Sequence, residues 1–225
     1  MDTSLGVIKI AYGGTLGYPL HPPKSFWSKK VRPWLWTYNN LSINDPSTRS
    51  ADILIKAIKT LDSANSINPE KLKVHLWGKI HKRHVEYIKH CNLSQYFTIE
   101  GFKTKEETLN ALKNANILFL PLETGISQNQ PLFIPGKLFE YLSFQKPILL
   151  LADKSSDSAK ILEKSGLGLI CNPNDVTLLT NLLFKIINHK LGLTQLTPNI
   201  DYIQAQKFDV KTKALAQVFD SLIST

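Results

Sequence analysis

Between positions 7 and 171 the apolar residues gather in short strand-length runs, and after most runs they recur every three or four positions instead. VIKIAYGG (7–14), KVHLWG (73–78), YFTIEG (96–101), ILFLPL (117–122), PILLLAD (147–153) and GLIC (168–171) are strand-length runs. The intervening SADILIKAIKTLD (50–62), HKRHVEYIKHCNL (81–93), TKEETLNALKNA (104–115), GKLFEYLSF (136–144) and SAKILEKSG (158–166) have helical spacing, as in the stripe Ile53, Ala57, Ile58 and Leu61. A strand wet on one face alternates polar and apolar residues, whereas ILFLPL and PILLLA are apolar throughout; with the regular alternation of strand and helix this predicts a parallel sheet covered on both faces. The expected fold class is α/β, a Rossmann-like parallel sheet with helices on both faces.

Local signals agree with this alternation. Ser50 is placed to cap the first helix, Thr104 and Glu107 have capping-box spacing, and Gly166 can close the helix before it. Two further helical stretches are predicted near 174–190 and 200–224. No internal repeat breaks the pattern, so residues 1–225 read as a single domain. The connection at 18–47 is the exception, because a βα junction normally takes only a handful of residues.

Ligands of such sheets bind beyond the carboxyl ends of the strands. The tips to consider are residues 13–17, Gly78, 101–103, 122–125 and 135–137. The last joins a Pro-Gly turn to a helix that opens with Lys137 and carries Glu140. Helix N-termini have unpaired N–H groups and a partial positive charge, so the amides of Gly136, Lys137 and Leu138 suit phosphate oxygens, and Lys137 adds a full charge. Glu140, three residues on, shares roughly that face; an ionised carboxylate only accepts, which suits a ribose diol. Short helices after loops also carry a Lys and a Glu for no chemical reason, so spacing alone leaves both readings open.

Composition narrows the partners. With 43% hydrophobic and 20% charged residues the chain is ordinary for a globular protein, but 27 Lys and Arg against 18 Asp and Glu give a net charge of +9. That surface favours anions: nucleotide diphosphates, anionic lipid headgroups or nucleic acid. Zinc-ligand spacing, RNP-type aromatic runs and basic heptads are absent, so no nucleic-acid partner is expected. Cys91 and Cys171 form neither a disulfide framework nor a paired metal motif. No run reaches membrane-span length, and Asp2 stands where a signal peptide is basic; the expected location is cytoplasmic.

The run Pro135-Gly136-Lys137 followed by Glu140-Tyr141-Leu142 and Lys146-Pro147-Ile148 resembles the donor-nucleotide motif of family 4 glycosyltransferases, retaining enzymes of GT-B architecture. The resemblance extends over nearly the whole chain, through the Gly13-Gly14-Thr15-Leu16 tip, Arg49 before a helix, Trp77-Gly78, Glu100-Gly101-Phe102 and Leu120-Pro121-Leu122. It implies one half of a GT-B architecture, the donor-binding domain, with the N-terminal acceptor domain absent. The implied reaction is transfer of a hexose from a nucleotide diphosphate sugar to a hydroxyl acceptor with retention, and little transfer by this chain alone.

By position the resemblance gives Glu140 the ribose, Gly14, Thr15, Gly136 and Lys137 the diphosphate, and Arg49 and Lys137 the charge on the leaving group. Phe102 and Lys103 border the base. Leu132 stands where many members carry a Glu that helps hold the sugar. Such enzymes generally need no metal, and none is expected here, nor any cofactor besides the donor substrate. A nucleotide-sugar epimerase of related fold and a non-catalytic nucleotide-binding module remain as alternatives.

Two features stand apart from the motif. Trp27, Trp34 and Trp36 lie in the 18–47 connection among Lys24, Lys29, Lys30 and Arg32, a mixture that suits the inner face of an anionic membrane or, equally, a loop folded on its own aromatic core. His81, His84 and His90 stand among lysines, and the spacing predicts a solvated basic helix face in place of a metal site.

Overall fold

The computed structural model describes residues 6–17, 44–45, 49–122, 124–125, 134–188 and 193–223. Most of the long connection, with its tryptophans, and Leu132 lie outside these residues, so the readings placed on them stay as expectations. In chain order the elements are β1 (Ile8–Leu16), β2 (Asn44–Asp45), α1 (Asp52–Ser63), β3 (Leu72–Ile80), α2 (Lys82–His90), β4 (Phe97–Glu100), α3 (Lys105–Lys113) and β5 (Ile117–Pro121). They continue with β6 (Thr124–Gly125), α4 (Gly136–Ser143), β7 (Ile148–Leu151), α5 (Asp157–Lys164), β8 (Gly168–Cys171), α6 (Val176–Ile187), a 3-10 turn (Leu193–Gln195), α7 (Ile200–Ala205) and α8 (Phe208–Ile223).

Six strands form one parallel sheet in the order β4-β3-β1-β5-β7-β8. Counting only its own strands, that is the doubly wound order 3-2-1-4-5-6. The apolar strands divide by parity, as a pleated sheet requires. Ile10, Phe119, Leu149 and Leu151 face one core with Leu54 and Ile58 of α1, Ile88 of α2 and Leu183 of α6. Ala11, Leu118, Leu120 and Leu150 face the other with Leu112 of α3, Leu138 and Tyr141 of α4 and Leu162 of α5. Helices therefore cover both faces, and each buried Leu, Ile or Phe among these contributes roughly 1.5–3 kcal/mol by leaving water.

Four local outcomes differ from the sequence reading. Helix α1 starts at Asp52 with Ala51 as its boundary residue; Ser50 sits one place earlier and its hydroxyl accepts from the Asp52 amide at 3.0 Å. The last helical stretch is two helices, divided where Gln206 and Lys207 bond three residues back to Ile203 and Gln204. Ile203 anchors the first of these in the core, while no residue of α8 is buried. Asn44–Asp45 and Thr124–Gly125 pair as a two-residue antiparallel ribbon that no hydrophobic pattern announces. Finally, β1 and β3 run on through their glycines, paired as far as Leu16 with Ile80. The capping box at Thr104 and Glu107 is present, and Gly166 adopts φ +70° after α5.

Candidate functional site

The site begins where the sheet opens. β1 is nine residues long, yet β5 pairs with only Ile10 and Ala11 of it. Past Ala11 no strand among the described residues pairs with that edge of β1, while β3 still holds the opposite edge. This is the point at which strand order reverses, and it lies at the carboxyl ends of the strands. The Gly13 N–H, beyond the last β1–β5 pair, donates to the Tyr141 hydroxyl of α4 at 3.4 Å.

Glycine is required at two neighbouring positions there. Gly14 and Gly78 are cross-strand partners with φ of +150° and +104°. A β-carbon on Gly78 would collide with the Gly14 carbonyl oxygen. One on Gly14 would lie 2.7 Å from Lys137 Nζ and 3.0 Å from Tyr12 Oη. Lys137 thus reaches across from the first turn of α4 onto the glycine tip of β1, which brings together the two segments that the sequence placed at one anionic pocket.

The turn before α4 supplies bare backbone. Pro135 is extended and provides no side-chain cap. Leu138 departs from its expected role, because its N–H donates to the Pro135 carbonyl at 2.9 Å in a tight first turn and its side chain is fully buried. It packs the core and has no amide to offer. The amides of Gly136 and Lys137 have no protein acceptor among the described residues.

Glu140 lines a cavity of about 320 Å³ together with Gly14, Thr15 and Lys137, and among the described residues no ion pair holds its carboxylate. Lys137 also lines a second cavity of about 310 Å³, shared with Tyr12, Arg49 and Pro135. Arg49 is brought there by the backbone, since the Gly17 N–H donates to its carbonyl at 3.1 Å. Tyr12 donates its hydroxyl to the Thr15 carbonyl at 2.8 Å. Burial pushes Tyr12 up to about 12, against the opposing pull of the Arg49 charge, so the phenol keeps its proton. Burial likewise raises Tyr141.

The larger cavity is also lined by Leu109 and Leu112, with Thr108. Phe102 lines it as well, 83% exposed. Glu100 pairs with Lys103 at 2.5 Å and accepts from Trp77 Nε1 at 3.2 Å. The Lys103 hydrogen bond holds the Glu100 carboxyl below the usual glutamate range. His75 stacks on Trp77 at 5.5 Å, and burial, helped by Lys9, lowers its pKa.

The residues proposed from sequence, Leu138 apart, therefore line two cavities that share Lys137: Gly14, Thr15, Phe102, Lys103 and Glu140 the larger, Arg49 and Gly136 the smaller. Sequence reasoning passed over Trp77 and Lys105, which line the larger cavity, and Tyr12, which lines the smaller. The signal was available for Trp77, whose register opposite Glu100 follows once β3 and β4 are aligned. The histidines do not form a solvated face. His84 is 0% exposed, with Nδ1 2.9 Å from Asp52 Oδ1 and Nε2 2.9 Å from the Gly17 carbonyl oxygen. A buried acceptor pair facing the helix outweighs the basic sequence around it. His81 caps α2 by accepting from the Arg83 amide, and His90 is exposed.

No family model and no curated protein sequence matches the chain. Solved structures do. The chain is similar to Anabaena Alr3699/HepE in complex with UDP, at 18% identity and a TM-score of 0.56, over 96% of this chain and 49% of that one. It is similar to the apo form of the lipopolysaccharide outer core galactosyltransferase WaaB at 12% identity and a TM-score of 0.60, over 98% and 51%. A glycosyltransferase from Rickettsia africae matches at 11% identity and a TM-score of 0.59, over 96% and 48%. The chain spans about half the length of these structures. Its fold is that of the GT-B glycosyltransferases, matched over one half of their length.

Proposed function

We propose that this chain binds a nucleotide diphosphate sugar at the crevice between β1 and α4, as the donor domain of a retaining hexosyltransferase. The observation that carries the reading is Lys137, whose ammonium lies over Gly14 at the N-terminus of α4 while Glu140 lines the same cavity. The diphosphate seats against the Gly14–Thr15 tip and the amides of Gly136 and Lys137, with Lys137 and Arg49 supplying charge. Glu140 accepts from the ribose hydroxyls. The base lies over Leu109 and Leu112, against Phe102 and Lys103. A complex of the HepE protein with UDP-glucose supports a donor of this class.

The chemistry assigned to these residues is electrostatic. As the bond from the sugar to the diphosphate breaks, negative charge grows on the leaving phosphate. Arg49 and Lys137, already fixed in place, stabilise it without reorganising. Donor binding needs no metal in this reading. The hydroxyl acceptor is held by protein outside these 225 residues, so the chain by itself binds donor and transfers little sugar.

A thermal-shift screen of UDP, GDP, ADP and their sugar conjugates tests the proposal, with and without EDTA. A ligand present at a hundred times its dissociation constant adds about 3 kcal/mol to stability. The result expected is stabilisation by one base series, unchanged by EDTA. Silence across the panel contradicts donor binding, and turnover of the sugar nucleotide without any acceptor points to an epimerase.

A further inference from the structure

His84 belongs to α2, on the side of the sheet away from α4, and it lines neither cavity. Its ring nevertheless reaches the backbone of the site. Nε2 meets the carbonyl oxygen of Gly17, the residue at which β1 leaves the sheet, and Nδ1 meets the Asp52 carboxylate in the first turn of α1. Gly17 is in turn held through its N–H by the Arg49 carbonyl. Asp52 is three residues beyond Arg49, and between them Ser50 and Ala51 are buried. Both ends of the Arg49–Asp52 segment are therefore fastened, directly or through Gly17, to one imidazole.

We infer that His84 is a positioning residue for the diphosphate site: by gripping the Gly17 carbonyl and the Asp52 carboxylate it fixes the backbone from which Arg49 reaches the cavity it shares with Tyr12 and Lys137. This rests on the reading of that crevice as a diphosphate site. The chemistry explains the residue type. A carbonyl oxygen only accepts, so the Gly17 contact takes a hydrogen from Nε2, while Nδ1 makes the second hydrogen bond of the ring, to the Asp52 carboxyl group. The imidazole presents two hydrogen-bonding nitrogens diverging from one flat, rigid ring. The ring is also completely buried, where a missing partner costs more than a made bond contributes.

The two legs are separable by substitution. In His84→Gln the amide nitrogen occupies the Nε2 place and keeps a donor toward Gly17. In His84→Asn it occupies the Nδ1 place and keeps a donor toward Asp52. The leg to Gly17 is the one coupled to Arg49, so the two variants are expected to differ in diphosphate binding. The probes are UDP, GDP and ADP, with inorganic pyrophosphate as a base-free control, measured by calorimetry on wild type, both His84 variants, Arg49→Ala and Arg49→Ala combined with His84→Asn.

His84→Asn should weaken diphosphate binding by about tenfold, and His84→Gln should stay within about threefold of wild type. In the Arg49→Ala background His84→Asn should cost little more, because the effect runs through that side chain. Equal binding by wild type and His84→Asn overturns the inference. An undiminished loss in the Arg49→Ala background also overturns it, since His84 then supports the fold generally. Should His84→Asn not fold, a tenfold loss in His84→Gln overturns it alone. No binding of any probe by wild type instead removes the diphosphate site itself, and the inference with it.

Discussion

Lys137 lies across Gly14, with Nζ 2.7 Å and Cε 2.9 Å from the place a β-carbon on that glycine would occupy. The contact joins the N-terminus of α4 to the carboxyl end of β1, and it depends on the absence of one methyl group. Gly14→Ala should push the ammonium out of the crevice. A loss of about tenfold in nucleotide affinity is expected with about 1–2 kcal/mol of stability, the latter from φ +150°. Calorimetry and urea unfolding on the same preparation measure both; unchanged affinity shows that Lys137 is not placed by Gly14.

Gly78→Ala should be the more damaging change although its position contributes only backbone to the site. Its φ is +104°, and its β-carbon would strike the Gly14 carbonyl oxygen, which is main chain and cannot step aside. A destabilisation of about 2–4 kcal/mol is expected by urea unfolding. A cost below about 1 kcal/mol would show that the β1–β3 ladder relaxes there more easily than its geometry implies.

Gly136→Ala reverses the balance. Nothing stands within 4 Å of its β-carbon position, and alanine favours a helix. Stability should hold or rise by about 0.5 kcal/mol, while the new methyl group crowds the mouth through which phosphate reaches the Gly136 and Lys137 amides. Affinity should fall with no loss of melting temperature. Affinity unchanged by this variant would place the ligand elsewhere.

Glu100 gives the base end a titration that can be followed. Its carboxyl is held below the ordinary glutamate value, first by the Lys103 hydrogen bond and also by the Trp77 indole. A carboxylate with a lowered folded pKa contributes stability above its unfolded value and loses it as pH falls through the folded one. The indole N–H resonance of Trp77 should therefore move only below the usual glutamate range, and Lys103→Ala should shift that midpoint upward. The pair is about one-third exposed on both sides, so the stability at stake is small. A midpoint at the ordinary value, indifferent to Lys103, would dissolve this network.

Much of this arrangement was legible in the chain. ILFLPL and PILLLA read as buried parallel strands because they do not alternate, and the order of strands and helices placed Gly14, Glu140 and Lys137 at one end of the sheet. The capping box at Thr104 could be seen because it is local, a hydroxyl and a carboxylate three residues apart. What escaped depends on contacts between distant segments. His84 stands among Lys82, Arg83 and Lys89 and reads as solvated; only the approach of Gly17 and Asp52 makes it a buried ligand of backbone and carboxylate. The Leu138 amide was lost to a tight first turn at Pro135, which spacing cannot distinguish from an open one. The break at Gln206 arises because Ile203 finds a core and α8 does not.

The account turns on a nucleoside diphosphate held between the glycine tip of β1 and the start of α4. Calorimetric titration of wild type, Lys137→Met and Glu140→Gln with UDP, GDP and ADP tests this most directly. One of the three should bind wild type, with affinity falling about ten- to a hundredfold in Lys137→Met and more modestly in Glu140→Gln, both variants melting as wild type does. Binding of equal strength in wild type and Lys137→Met, or no binding by wild type at all, would contradict it.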